Sequence, residues 1–385
     1  MQKIKFNQNI NNREEMAVEE KIKILVINPG STSTKIAVME LNTAASEEKE
    51  GIKKVFSTNI KHNSEEIDKF KCITDQYQWR KQSVLEALKE NNIEVPGIKH
   101  VIGRGGLIRN IPSGIYRIND AMLHDLKIGF NGEHACNLGG LIANDIAQHL
   151  GVESFIADPV VVDELEPVAR ISGHPAFERK SIFHALNQKA IARTYSKKVG
   201  KKYEELNLIV VHMGGGVSVG SHRKGLVIDV NQALNGEGPF SPERSGTLPV
   251  GDLIKTCFSG KYTEQELNKM IVGKGGYVAY LGTNDALEVE NRIAAGDKEA
   301  EFYSSAMAYQ IAKEIGAASA VLEGNVDAIL LTGGMAYDKP FVEKISKRVC
   351  HIAPIETFPG EDEMYALALN VFLLLKNEIP CKEYK

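Results

Sequence analysis

In ILVINPGSTSTKIAVMEL, Ile24 to Leu41, two apolar runs flank a bend carrying Asn28, Gly30, Ser31, Ser33 and Lys35. Hydroxyls, an ammonium and the backbone N–H groups of a Gly bend are donors suited to phosphate. The pattern is not a Walker loop, which needs Gly-x-x-x-x-Gly-Lys-Ser/Thr leading into a helix. Here Lys35 opens the β-branched run KIAVMEL, so the spacing predicts strand, tight turn, strand. Two more Gly bends follow apolar runs: Gly214, Gly215 and Gly216 in NLIVVHMGGGVSVG, and Gly333 and Gly334 in DAILLTGGMAYDKP. One such bend alone is more often a turn than a ligand loop. Three of them, each directly after a strand, fit a split nucleotide site. No dinucleotide fingerprint competes, because GGGVSVG spaces its glycines wrongly and leads into a strand.

Around these bends lie side chains that bind or stabilise anions. Arg104 in IGRGGL stands just past an apolar strand, and Arg244 in PFSPERSGTLP in a polar turn. A structural salt bridge is the default for either, yet guanidinium is also the group best shaped for carboxylate and phosphate oxygens. His184 in SIFHALNQKA and His212 before GGG sit at element ends, where packing is the ordinary role of a histidine. Asp158 in ADPVVVDE reads from its following proline as a strand stop.

The elements that must position these residues read as α/β. Strand-like runs KIKILVI, KIAVMEL, KKVFSTNI, IKHVIG and ESFIADPVVV alternate with helical patterns. The span Asp75 to Asn92 sets Val84, Leu85 and Leu88 at helical spacing, and NLGGLIANDIAQHL forms a second helix. A long helical segment over Ser181 to Leu206 precedes a second strand–Gly turn–strand, Asn207 to Val230, so the two halves open alike. Asp338 as N-cap and Pro340 in the first turn predict a helix after the third bend. The run Tyr365 to Leu375 predicts a buried helix that returns to the first half.

A chain of 385 residues, 43% hydrophobic, can build about two cored domains. Its formal net charge of −4 gives no reason to expect nucleic acid or an anionic membrane. The apolar run Tyr365 to Leu375 is far short of the roughly 20 residues that span a bilayer. The Asn-rich start MQKIKFNQNINNREEMAVEE lacks the apolar core of a secretion signal and is expected to be a disordered lead-in, with Met16 an alternative start. Five scattered cysteines without metal or redox spacing fit a reducing cytoplasm.

Eight ordered segments, NPGSTSTK, GRGGL, DPVVVDE, SIFHALNQKA, HMGGGVSVG, SPERSGTLP, TGGMAYDKP and PGEDEMYAL, together resemble the butyrate kinase branch of the acetate kinase family, from about Ile22 to Leu375. The resemblance implies two ribonuclease-H-like domains of the actin-like ATPase fold with a nucleotide cleft between them: residues 22–165 plus 360–385, and 166–359, after a lead-in over 1–21. It implies ATP/ADP and Mg²⁺ as cofactors. It places Asn28, Ser31, Ser33 and Lys35 at the γ-phosphate, with Lys35 also readable as a solvated strand lysine. His212 and Gly214, Gly215 and Gly216 would hold the β-phosphate. Gly333, Gly334 and Met335, aided by Asp285 or Asn284, would hold adenosine and the α-phosphate.

By the same resemblance Arg104 and Arg244 flank the transferring phosphoryl group, and His184 donates to its oxygens. Asp158 matches the family's acidic residue. A fatty acid is already ionised at pH 7 and needs no general base, so Asp158 reads as a Mg²⁺ or water ligand. Among Glu361, Asp362 and Glu363, the resemblance points to Glu363 for the metal, a charged helix start being the other account. The implied reaction moves the ATP γ-phosphoryl group in line to the carboxylate of a short-chain fatty acid. Butyrate is the first expectation, with isobutyrate, propionate or acetate as alternatives. A nucleotide-driven switch on the same fold is the rival from another class. Phe183, Val160 and Ile115 are acyl-pocket candidates that sequence does not separate from core, and a homodimer or higher oligomer is expected by analogy.

Overall fold

The computed structural model describes residues 21–385. The lead-in expected over residues 1–21 lies outside them, except Lys21, which starts the first strand.

The first apolar runs form β1 (Lys21–Pro29), β2 (Ser33–Asn42) and β3 (Ile52–Lys61), an antiparallel meander. β4 (Ile98–Arg104) and β6 (Glu153–Ala157) then add in parallel beside β1. β5 (Ile115–Arg117) pairs antiparallel with β6. The second half repeats the scheme. β7 (Asn207–Met213), β8 (Val217–Arg223) and β9 (Leu226–Val230) form a meander, and β10 (Ala328–Gly333) and β11 (Ile355–Pro359) add in parallel beside β7. The sheet orders are β12-β5-β6-β4-β1-β2-β3 and β11-β10-β7-β8-β9, where β12 (Cys381–Glu383) is the C-terminal strand. Removing β5 and β12 leaves the same topology twice. The expected α/β class with paired halves is what the chain forms.

Continuous apolar runs mark the strands that are covered on both faces. Ile24 through Ile27 and Leu208 through Val211 are fully buried. The apolar helix Glu363–Leu375 packs through Leu367, Leu369 and Phe372 onto Ile24, Val26 and Met39, returning to the first sheet as its composition predicts. β12 pairs in register with β5 and so joins the first sheet as well. The helix over 181–206 is shorter than its pattern, running Ala185–Lys198. His184 stands at its N-cap, and Gly200 and the turn Tyr203–Glu205 end the pattern. Asp338 caps the helix Lys339–Val349 through the Phe341 N–H, with Pro340 in the first turn, as read from the sequence.

Candidate active site

Each Gly bend is built by close packing. In the first, the Gly30 N–H donates to the Ser33 carbonyl at 2.7 Å, and the hairpin sets Asn28 opposite Lys35. Arg80, on the helix Tyr77–Glu90, is fully buried beneath this bend. Its guanidinium donates to the carbonyls of Gly30 (2.7 Å), Ser31 (2.8 Å) and Ser33 (3.3 Å), and its Nε to Gln76 Oε1. Burial draws its pKa down to about 10, still charged at neutral pH. Sequence reading missed Arg80. The signal was its place in the stripe Arg80, Val84, Leu88, where an apolar residue was due.

In the second bend, Gly216 lies against Arg244: a Cβ there would overlap Nη1. Ser241 Oγ donates to the Gly215 carbonyl at 2.6 Å and pins the turn. In the third, Gly333 adopts φ 91°, and a Cβ would overlap the Met213 carbonyl, so the second and third bends touch. Residues 360–363 tie all three bends together. Gly360 exchanges backbone hydrogen bonds with Gly333, Glu361 Oε2 lies 3.3 Å from His212 Nε2, and Glu363 accepts from Asn28 and Arg104. Asp362 is spent on capping, its carboxylate accepting the Tyr365 N–H.

A cavity of about 320 Å³ opens at this junction. Asn28, Ser33, Lys35, Arg104, His184, Arg244 and Glu363 form its polar wall, and Leu107, Val160, Ile182, Phe183 and Leu234 part of its apolar one. Ile115 is instead core of the first sheet. Asn28, Lys35 and Glu363 also border a neighbouring space of about 890 Å³, walled by Asn187, Tyr337 and Glu361. A third cavity, about 250 Å³, is lined by Gly334 and Met335 with Tyr277, Ser304 and Phe341.

Arg104 and Arg244 are the guanidinium groups of the first cavity, beside the Lys35 ammonium. Burial lowers the pKa of both, yet the guanidinium stays charged. Arg244 Nη1 donates to the Ala233 carbonyl, while its Nε is buried with no hydrogen-bond partner among the described residues. His184 and His212 stack, ring centroids 3.8 Å apart and 13° from parallel. Burial, with the neighbouring arginines, pulls His212 down to about 3 and His184 well below 6.5, so both rings are neutral at pH 7.

Other predicted residues stand off this cavity. Asp158, at φ 39°, is buried at the end of β6; one oxygen accepts the Gly114 N–H (2.7 Å) and the other faces Arg193 Nη1 (3.2 Å). It is not among the lining residues of the cavity, and Arg193 supplies the charge that lets it be buried. Ser31 and Asp285 are exposed, and Asp285 caps the helix Ala286–Ala294 through the Leu287 and Glu288 N–H groups, beside the third cavity. Cys136 and His134 line the first cavity and were not read from sequence. Burial raises the Cys136 thiol to about 11, which keeps it protonated.

Sheet order, gathered bends and paired arginines together define a class. Residues 176–357 match the acetokinase family, to which the chain belongs. It is thus a kinase of the acetate kinase family, as the eight segments imply. Butyrate kinase 2 of Clostridium acetobutylicum (strain ATCC 824) is 55% identical over 365 residues, covering 95% of this chain and 100% of that protein, so the resemblance to the butyrate branch holds. Among solved structures, acetate kinase of Porphyromonas gingivalis superposes with TM-score 0.72 at 19% identity, covering 92% of this chain and 100% of that one. A propionate kinase of Francisella tularensis gives 0.67 at 17%, covering 90% and 98%. At such identities these two establish a shared fold, the expected actin-like ATPase architecture.

Proposed function

We propose that the chain transfers the γ-phosphoryl group of ATP to the carboxylate of a short-chain fatty acid, butyrate foremost, giving acyl phosphate and ADP. The observation that carries this is Arg244. A largely buried guanidinium whose one side-chain hydrogen bond among the described residues is from Nη1 to the Ala233 carbonyl is costly unless an anion visits it, and it lines a cavity that also has apolar walls. A nucleotide switch without an acceptor gives such a cavity no purpose. In this reading the acid's alkyl chain lies among Leu107, Val160 and Phe183, and its carboxylate among Arg104, Arg244 and His184. The phosphates run past Asn28, Ser33, Lys35 and the Gly214–Gly216 turn toward His212, with adenosine in the cavity at Gly334 and Met335.

The transferring group spreads charge over its equatorial oxygens, so positioned cations supply most of the rate. The carboxylate, already ionised, attacks phosphorus directly and no enzyme-bound phosphoryl group is needed. Mg²⁺ keeps several waters and takes one or two carboxylates plus phosphates. Glu363, on the cavity wall, suits that role; Asp158, turned to Arg193 and Gly114, does not reach the cavity and is proposed instead as a buried support. When bound, the ion would offset charge on the phosphate oxygens.

Five unpaired thiols support a reducing cytoplasm as the compartment. No described helix is long and apolar enough to cross a membrane. Exposed Val168, Ile171 and Phe177, close together in sequence, support a homo-oligomer.

Arg244→Ala tests the proposal. Turnover should fall on the order of a hundredfold or more while ADP affinity, measured by calorimetry, stays near that of the parent. Rates within a few-fold of the parent would remove Arg244 from the reaction and with it the proposed acceptor site.

A further inference from the structure

Behind His184 runs a buried chain of hydrogen bonds that no step above uses. His184 Nδ1 lies 2.9 Å from Ser218 Oγ. Gln188 Nε2 reaches the same Oγ at 2.8 Å and the Ser218 carbonyl at 3.1 Å. Gln188 Oε1 lies 2.9 Å from His222 Nε2, and His222 Nδ1 lies 2.6 Å from Tyr203 Oη. Gln188, Ser218 and His222 have no exposed surface, and Tyr203 has 5%. Gly220 makes the route possible, since a Cβ there would overlap Gln188 Oε1.

The proton positions follow from one acceptor-only group. The Ser218 carbonyl cannot donate, so the amide atom facing it must be the NH₂ of Gln188. Gln188 Oε1 then faces His222 and must accept from it, which puts the His222 proton on Nε2. His222, held neutral by burial, has a bare Nδ1, and it receives the hydroxyl proton of Tyr203. On the other side, Ser218 Oγ already accepts an N–H from Gln188. Its own proton has one partner in the structure, His184 Nδ1, which must therefore be bare.

We propose that Gln188, braced by His222 and Tyr203, is a positioning residue that holds His184 in its Nε2–H tautomer. The neutral ring then presents a fixed donor to an anion in the cavity it lines. Without the chain, either ring nitrogen can carry the proton, and half of the tautomers would offer a lone pair to an oxyanion. The effect on turnover rests on the proposed phosphoryl transfer, whereas the tautomer itself does not.

The test is ¹⁵N NMR of histidine-labelled protein without ligands, with His184 assigned by the signals lost in His184→Asn. The expected spectrum has the proton of neutral His184 on Nε2 and a bare Nδ1. In Gln188→Met and in Ser218→Ala the signals should become those of exchanging tautomers. kcat should fall about tenfold or more while the KM for ATP changes less than about twofold, as for outer-shell partners of a reacting group. Ser218→Ala removes the single oxygen that faces His184 and decides the matter if Gln188→Met does not fold. A parent spectrum with the proton on Nδ1 would overturn the proposal whatever the enzyme's activity. So would variants that keep the Nε2–H tautomer, or that lose it with kcat unchanged.

Discussion

Arg244 depends on a neighbour with no side chain. Because a Cβ at 216 would overlap its Nη1, Gly216→Ala is expected to displace the guanidinium rather than unfold the turn. A misplacement of about 1 Å at a reacting centre can cost roughly a hundredfold. Gly216→Ala is therefore expected to lower kcat by that order while the melting temperature moves little. A large loss of stability with kcat preserved in the folded fraction would contradict this. The stacked histidines carry a second expectation. With His212 near 3 and His184 depressed well below 6.5 by burial, neither changes charge between about pH 6.5 and 8, so kcat/KM should show no inflection from this pair there. An inflection near pH 6.5 that disappears in His184→Asn would contradict the buried, neutral pair.

At the scale of elements, the bend proposed to face phosphate is a hairpin turn whose carbonyls of Gly30, Ser31 and Ser33 are turned onto Arg80. Arg80→Met removes a charged donor from three backbone carbonyls. It is expected to destabilise the protein by about 2–4 kcal/mol, since each charged hydrogen bond is worth about 1.5–3 kcal/mol and the freed carbonyls at the surface bend regain part of it from water. Urea unfolding reads this directly, and the KM for ATP should rise with it. Unchanged stability would mean that the bend holds its shape without the arginine. The bends, the hairpins and the cap at Asp338 were legible because apolar runs, Gly and Asx residues act locally. Arg80, Gln188 and Ser218 were not, since each works across sequence separations of about 30 to 50 residues that no local pattern encodes. Asp158 shows the same limit from the other side: its proline context marked a strand end, while its partner Arg193 lies on a helix 35 residues away.

At the scale of the molecule, two copies of one topology face each other, and residues 360–363 join their bends into one site. Burying neutral histidines couples this assembly to pH. His212 and His62, lowered to about 3 and about 4 chiefly by burial, bind protons more readily when unfolded. Stability should thus be fully present above about pH 6.5 and be lost as pH falls toward those values. Denaturant midpoints measured from pH 7 to 4 check this, and a flat profile would contradict it. In the proposed reading, the apolar wall of the 320 Å³ cavity sets the acid. A methylene in such a pocket is worth roughly 1–3 kcal/mol, so preference should climb steeply from acetate to butyrate and then drop when the chain outgrows the space. Trapping acyl phosphate with hydroxylamine across acids from C2 to C6 measures this most directly. ATP-dependent acyl hydroxamate is expected with every small acid accepted, and the highest kcat/KM at butyrate. ATP hydrolysis that no acid stimulates, with no hydroxamate formed, would contradict this.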